Sequence, residues 1–213
     1  MSYIENTYIC LIAPLLLAIL CLRREARRSL LFVASGMTCC LLSAYVSTFI
    51  AGVLEVDLIS ASHEIAPVVE EIMKFLPMVF YVLVFEPEKK IVVAGTLLVA
   101  VGFATFENVC FVASYGTSQL LRLVIRGFGT GAIHVVCGVL VSVGAYFLWD
   151  RPWLRMVGSL ALLCFVVTFH AIFNVVVNQT GIVFWIGSAV PMTLVLFYAL
   201  FLRRKIERPV PQR

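Results

Sequence analysis

The sequence predicts an all-α, polytopic integral membrane protein with about seven transmembrane helices. Two observations support this prediction. Of the 213 residues, 62% are hydrophobic and only 13% are charged, and the mean hydropathy is +1.04, whereas soluble domains are about one-quarter charged. Apolar stretches of about 20 residues, the length of a helix that crosses the bilayer core, also recur along the whole chain.

Seven apolar stretches have the length of a membrane span. They cover about residues 3–22, 29–54, 62–85, 91–115, 120–149, 156–178 and 182–202. The first has no basic leader and no small-residue cleavage site, and arginines follow it, so we predict a retained span rather than a signal peptide. The sequence thus predicts one transmembrane domain, residues 1–205, with its polar centre at about 62–178 and a short basic cytoplasmic tail at 206–213.

Lysine and arginine lie in every second connection between the spans. The basic connections contain Arg23, Arg24, Arg27, Arg28, Lys89, Lys90, Arg151, Arg155, Arg203, Arg204, Lys205 and Arg208. The positive-inside rule places these connections in the cytoplasm, with the N-terminus outside and the C-terminus inside. Arg122 and Arg126, near the outer end of the fifth span, are the exception. Short basic clusters between lipid-embedded spans are membrane anchors, so the sequence predicts contact with membrane lipids and no nucleic-acid binding.

Ionisable and amide side chains lie inside four consecutive spans. They are Glu70, Glu71, Lys74, Glu107, Asn108, Arg126, His134, His170 and Asn174. Charged groups in hydrocarbon are costly, so they mark a pathway, a catalytic centre or a structural pair. Helical rise puts Glu70, Glu107 and His170 roughly 12 Å inside the outer ends of their spans. They can therefore share one layer, with His134 somewhat deeper unless its helix is tilted.

Several of these residues also have a purely structural interpretation. Lys74 lies four residues after Glu70, on the same helical face, and can neutralise that carboxylate. Arg126 can reach the outer headgroups or pair with Glu107, and we favour the pair. Asn108 can hold two helices together or bind a substrate backbone. A single membrane histidine is usually an interhelical hydrogen-bond donor, but two histidines and three glutamates in one layer favour a functional site.

Other hydrolase motifs are missing from the sequence. His63 and Glu64 begin a zincin motif, but Pro67 replaces its second histidine. There is no Gly-x-Ser-x-Gly elbow, and the two aspartates, Asp57 and Asp150, lie at opposite ends of spans. The seven cysteines lie in apolar stretches without metal spacing and are expected to be core residues. Any chemistry in the membrane must therefore depend on glutamate and histidine.

The ordered set of polar motifs resembles the PrsW proteases, a branch of the glutamate intramembrane proteases. That wider group includes the CAAX prenyl endopeptidases and bacteriocin-processing or immunity proteins. The motifs are Glu70-Glu71-Ile72-Met73-Lys74, Phe103-Ala104-Thr105-Phe106-Glu107-Asn108, the lone His134, and His170-Ala171-Ile172-Phe173-Asn174. The resemblance covers about residues 64–178. A lysine and a Glu-Asn pair replace the arginine and histidine of the CAAX motifs, which favours the PrsW branch and disfavours prenylated substrates.

The resemblance implies an intramembrane endopeptidase in a bacterial cell membrane. Its expected substrate is a single-span membrane protein, with an anti-sigma factor as the first candidate. The implied catalytic residues are Glu70, Glu71, Glu107, His134, His170 and Asn174, supported by Lys74, Asn108 and Arg126. Either Glu70 or Glu71 would activate water, Glu107 and His134 would orient that water and return a proton, and His170 and Asn174 would stabilise the oxyanion.

Three questions stay open at this point. No local metal motif exists, so no cofactor is predicted and activity is expected to survive chelation. Zinc remains an alternative because Glu70, Glu71, Glu107, His134 and His170 are competent ligands from different helices. A proton- or ion-coupled transporter can also use membrane carboxylates and histidines, although we find no repeat and no path of polar residues. The third alternative is a non-catalytic, immunity-type membrane protein.

Overall fold

A computed structural model of the protein describes residues 4–116 and 119–203, so the tail predicted at 206–213 lies outside the described residues. The regular elements of the described ranges are all helical. The α-helices are α1 (Ile4–Cys21), α2 (Arg24–Val53), α3 (Leu58–Ser60), α4 (Ala66–Phe85), α5 (Lys89–Tyr115), α6 (Leu120–Val124), α7 (Ile133–Leu148), α8 (Pro152–Val177) and α9 (Ile182–Phe197).

Six helical stretches are long and apolar enough to cross a membrane. They are Ile4–Cys21, Arg24–Val53, Lys89–Ser114, Leu120–Leu148, Pro152–Val177 and Ile182–Leu202. The remaining predicted span corresponds to α4, which has 20 residues but contains Glu70, Glu71 and Lys74. These charges, rather than length, distinguish α4 from the other six. The predicted class, a polytopic helical membrane protein, is confirmed.

A short helix and a π-helical turn precede α4, and of these two only the turn overlaps the third predicted span. Asp57 caps α3, because its side chain accepts hydrogen bonds from the N–H groups of Ile59 at 2.9 Å and Ser60 at 3.2 Å. In the π-helical turn Ala61–Ile65, the N–H of Ala66 bonds to the carbonyl of Ala61, five residues earlier. The corresponding partner of the Ser62 carbonyl is Pro67, which has no N–H to donate. That carbonyl therefore needs another donor.

The fifth predicted span, 120–149, is confirmed as a helical stretch at Leu120–Leu148, but the helix is irregular within it. After α6 the chain forms a π-helical turn, Ile125–Gly129, and a 3₁₀ turn, Thr130–Ala132, before α7 begins. Two glycines permit this path. A Cβ atom at Gly129 would lie 2.8 Å from the Ser188 carbonyl oxygen, and one at Gly131 would lie 2.2 Å from Oδ1 of Asn108. His134 is consequently the second residue of a new helix.

Helix α5 lies at the centre of the packing. It contacts α2 on one side and α7 on another, while α4 packs against α2, α5 and α8. The approach of α2 to α5 is close: a Cβ atom would lie 2.0 Å from the Val99 carbonyl oxygen if placed on Gly36, and 2.1 Å from the Val33 carbonyl oxygen if placed on Gly102. Small residues at such contacts allow membrane helices to meet backbone to backbone.

Candidate active site

Helices α4 and α8 meet at a buried carboxylate. The side chain of Glu71 is 3% exposed, and its Oε1 accepts a hydrogen bond from Nζ of Lys74 at 2.5 Å. The same oxygen lies 2.8 Å from Nδ1 of His170. Because a carboxylate is an acceptor, the Nδ1–H of a neutral His170 donates to it, which leaves a lone pair on Nε2. The buried Glu71 carboxylate thus fixes the ring of His170.

Helices α5 and α7 meet at a second carboxylate. Oε2 of Glu107 hydrogen-bonds to Nε2 of His134 and lies 3.0 Å from Nη2 of Arg126. The guanidinium of Arg126 also stacks over the ring of Phe111, with 4.8 Å between its central carbon and the ring centroid. The expected ion pair between Arg126 and Glu107 is therefore confirmed, and it holds the irregular turn of the fifth span against α5.

Lys74 forms its ion pair with Glu71, three residues earlier, rather than with Glu70, the possible partner named from the sequence. Positions three and four residues apart are both neighbours on a helix, and spacing alone does not choose between them. Lys74 Nζ also lies 3.2 Å from Nδ1 of His134 and 4.9 Å from the centroid of the Phe103 ring. An ammonium only donates, so Nδ1 of His134 accepts and its Nε2–H donates to Glu107.

A cavity of about 660 Å³ lies beside these residues, and Glu107, Arg126, His134 and His170 form part of its wall. Its lining includes Ser62, Glu70, Glu107, Arg122, Arg126, Thr130, His134, His170, Asn174 and Phe184. Glu70 is one of the lining residues and its side chain is 18% exposed, whereas Glu71 is 3% exposed and held by two partners. The sequence did not distinguish these adjacent glutamates. In the structure only Glu70, of the two, faces the space that a substrate would enter.

Three electron-pair donors converge beside this cavity. Oε2 of Glu70 lies 4.0 Å from Nδ1 of His134 and 3.9 Å from Nε2 of His170, and ligand atoms of the three residues lie within 4.8 Å of one another. The opposite ring nitrogens are held by Glu107 and Glu71. Metal-binding histidines have this arrangement, in which a carboxylate fixes the ring from behind. One carboxylate and two histidines suit a divalent ion such as zinc.

A second group of possible ligand atoms shares His170. It consists of Glu71, Cys137 and His170, all buried and also within 4.8 Å of one another. Here Lys74 already bonds to the carboxylate. Glu71 and Glu107 hydrogen-bond to the histidine nitrogens that do not face Glu70. They therefore support the histidines, although the sequence allowed both glutamates as metal ligands.

The two asparagines occupy different environments. Asn174 lines the cavity, and its Nδ2 donates a 3.0 Å hydrogen bond to the carbonyl of Ser62, which supplies the donor that Pro67 lacks. Asn108 packs beside Gly131, is not among the residues that line the cavity, and its buried Oδ1 has no hydrogen-bond partner among the described residues. Of the two roles that the sequence allowed for Asn108, this location favours helix–helix contact over substrate binding.

Three contributors had no role assigned from the sequence, although Phe103 begins the second motif. The ring of Phe103 packs on His134 with 4.8 Å between centroids, Cys137 lies beside Glu71 and His170, and the Ser62 carbonyl accepts from Asn174. Helical spacing could have indicated two of them, because Phe103 precedes Glu107 by four residues and Cys137 follows His134 by three. The third contributor, the Ser62 carbonyl, is a backbone group, so the residue type at this position does not indicate its role.

The chain matches a known protein family. The family model described as PrsW family intramembrane metalloprotease matches residues 25–202, most of the chain. No curated protein and no solved structure matches the chain. The matched segment includes the four helices that hold the glutamates and histidines. The protein therefore belongs to the PrsW family of intramembrane metalloproteases and is a membrane-embedded peptide hydrolase.

Proposed function

We propose that the protein cleaves a membrane-embedded or membrane-proximal segment of a single-span membrane protein, with a divalent metal at Glu70, His134 and His170. The observation that supports this proposal most strongly is the convergence of the three side chains beside the cavity, with a carboxylate behind each histidine. An anti-sigma factor is the substrate class that the family resemblance suggests.

The proposal assigns the metal to residues that fit it chemically. When bound, the ion would polarise the scissile carbonyl and acidify a water molecule. Glu71 and Glu107 act as positioning residues at this stage, because they bind Nδ1 of His170 and Nε2 of His134 and so direct the other nitrogens towards Glu70. In this assignment His170 is a ligand, since its Nε2 presents a lone pair in the neutral ring, rather than the oxyanion donor expected from the sequence.

Proton transfer is assigned to Glu107, the cavity carboxylate that is not a ligand. Its side chain is 31% exposed, and it lines the cavity together with Glu70. The carboxylate takes one proton from the attacking water, whose oxygen adds to the carbonyl carbon. The same proton passes to the amine as the carbon–nitrogen bond breaks. Arg126 holds Glu107 in position through the ion pair at 3.0 Å.

Asn174 is assigned the hydrogen bond to the developing oxyanion. The residue lines the cavity on α8, one helical turn after His170, and its amide nitrogen carries two hydrogens. One of them bonds to the Ser62 carbonyl. The second can be donated to a substrate carbonyl oxygen, and such donors typically contribute about 10²–10³ in turnover.

Paired measurements of metal content and cleavage test this assignment. In purified protein, Glu70→Gln and His170→Asn should lose both bound metal and cleavage of a single-span substrate. Glu107→Gln should bind the metal more weakly, by about 10–100-fold, and should still lose most turnover when excess metal saturates the site. Comparison of single-span proteins in membranes that contain the wild type or Glu107→Gln should reveal the natural substrate, which accumulates uncut with the variant. A Glu70→Gln protein with wild-type metal content and wild-type cleavage would show that the assigned site is wrong.

A further inference from the structure

Lys74 contacts both groups of possible metal ligands. Its side chain is 7% exposed, and Nζ lies 2.5 Å from Oε1 of Glu71 and 3.2 Å from Nδ1 of His134. The lone pair on this nitrogen of His134 is the one that the proposed metal would use, because Nε2 is bound to Glu107. The ammonium and the metal would therefore use the same electron pair.

Charge balance leads to the same conclusion. The carboxylates of Glu70, Glu71 and Glu107 face two cations, Lys74 and Arg126, so the group carries one net negative charge when all three carboxylates are ionised and both histidines are neutral. A divalent ion would change this to one net positive charge. Like charges repel strongly where water is excluded. The ammonium thus opposes metal binding even though it stabilises the metal-free carboxylates.

We propose that Lys74 is a built-in competitor for the metal site. The proposal rests on the metal assignment in the proposed function. In the metal-free protein the ammonium holds Glu71 and His134 in place. To admit a divalent ion, Lys74 must release Nδ1 of His134 and keep its bond to Glu71 alone. Lys74 therefore lowers the metal affinity of the site while it keeps the empty site assembled.

The opposite role is physically reasonable and makes the proposal testable. Residues that support metal ligands from behind usually raise affinity, and their loss costs about 10–100-fold in metal binding. Lys74 could support the site in this way through Glu71 and His170. The two roles predict opposite signs for the change in affinity when the ammonium is removed.

The test is Zn²⁺ binding to the purified full-length protein, measured by competition with a chelating dye. Lys74→Met removes the charge and the donor, Lys74→Gln removes the charge but keeps a donor for Glu71, and Lys74→Arg keeps the charge. We expect Zn²⁺ to bind at least about tenfold more tightly to the Met and Gln variants. We also expect a larger rise in Tm on addition of Zn²⁺, because stabilisation by a bound ligand grows as its dissociation constant falls. Lys74→Arg should stay close to the wild type.

The matched control is Lys89→Gln. Lys89 lies outside the site and also forms an ion pair, with 3.0 Å between its Nζ and Oδ2 of Asp150. This substitution should leave Zn²⁺ affinity unchanged. Equal or weaker Zn²⁺ binding by the Gln variant, with a wild type that binds, would overturn the role of Lys74 and leave the metal assignment intact. If neither the wild type nor any Lys74 variant binds Zn²⁺, both proposals fail. Should Lys74→Met not fold, the Gln and Arg variants still decide the sign.

Discussion

The imidazole rings of His134 and His170 meet edge to face, with 5.0 Å between centroids and an angle of 80° between the planes. They come from α7 and α8, and each ring is fixed on its far side by a different carboxylate, Glu107 or Glu71. The two histidines are therefore oriented independently, yet they present their remaining nitrogens to the same oxygen of Glu70.

The adjacent glutamates should respond differently to the same substitution. Glu70→Gln removes a proposed ligand, so bound metal and cleavage should both be lost. Glu71→Gln removes only the support of His170, so metal affinity should fall by about 10–100-fold and excess metal should restore part of the cleavage. Metal titrations of cleavage by both variants make the comparison. Equal behaviour of the two variants at every metal concentration would contradict the separation of roles.

Chelation should abolish cleavage. The sequence alone predicted that activity survives chelation, because it contains no local metal motif, but the structure brings Glu70, His134 and His170 together from three helices. We now expect loss on stringent chelation and recovery when one specific divalent ion is added to the purified enzyme. Full activity of protein shown to be metal-free by elemental analysis would support the original expectation instead.

Asn174→Ala should separate a structural role from a chemical one. The residue bonds to the Ser62 carbonyl, and interhelical hydrogen bonds in membranes are worth about 0.6 kcal/mol on average, so Tm should fall only slightly. If Asn174 also stabilises the oxyanion, turnover should fall by about 10²–10³ while metal content is unchanged. A variant that cleaves at the wild-type rate would restrict Asn174 to the structural role.

Gly102→Ala should destabilise the protein. The added methyl would meet the Val33 backbone at 2.1 Å, and overpacking of this kind costs about 1–3 kcal/mol. Gly52→Ala is the matched control, because nothing lies within 4 Å of a Cβ atom there. Thermal unfolding of both variants in detergent tests this comparison, and similar Tm values for the two would show that α2 and α5 are not in such close contact.

The predicted orientation can be tested by labelling. In a cysteine-free background, single cysteines near Asp57 and Gln179 should react from outside with an impermeant thiol reagent, whereas cysteines near Lys89 and Arg151 should react only after the membrane is opened. Labelling of the Lys89 position in intact cells would reverse the proposed topology.

The sequence predicted the class of fold and the helices that contain the polar residues, because apolar length and the cost of buried charge are properties of the chain itself. It also predicted the pair between Arg126 and Glu107, confirmed at 3.0 Å. The partner of Lys74 could not be read from spacing, since residues three and four positions away are equally accessible on a helix. The irregular turns before His134 depend on contacts of Gly129 and Gly131 with distant residues.

The close approach of α2 and α5 at Gly36 and Gly102 has a consequence for how the enzyme can vary. Backbone atoms set the distance between α2 and α5 there, so no change of rotamer can adjust it. Glu107 lies five residues after Gly102 on the same helix. The position of Glu107 relative to the two histidines therefore depends on the absence of side chains at Gly36 and Gly102. Related chains with a larger residue at either position would need to shift α5 as a whole, and with it the position of Glu107 relative to His134 and His170.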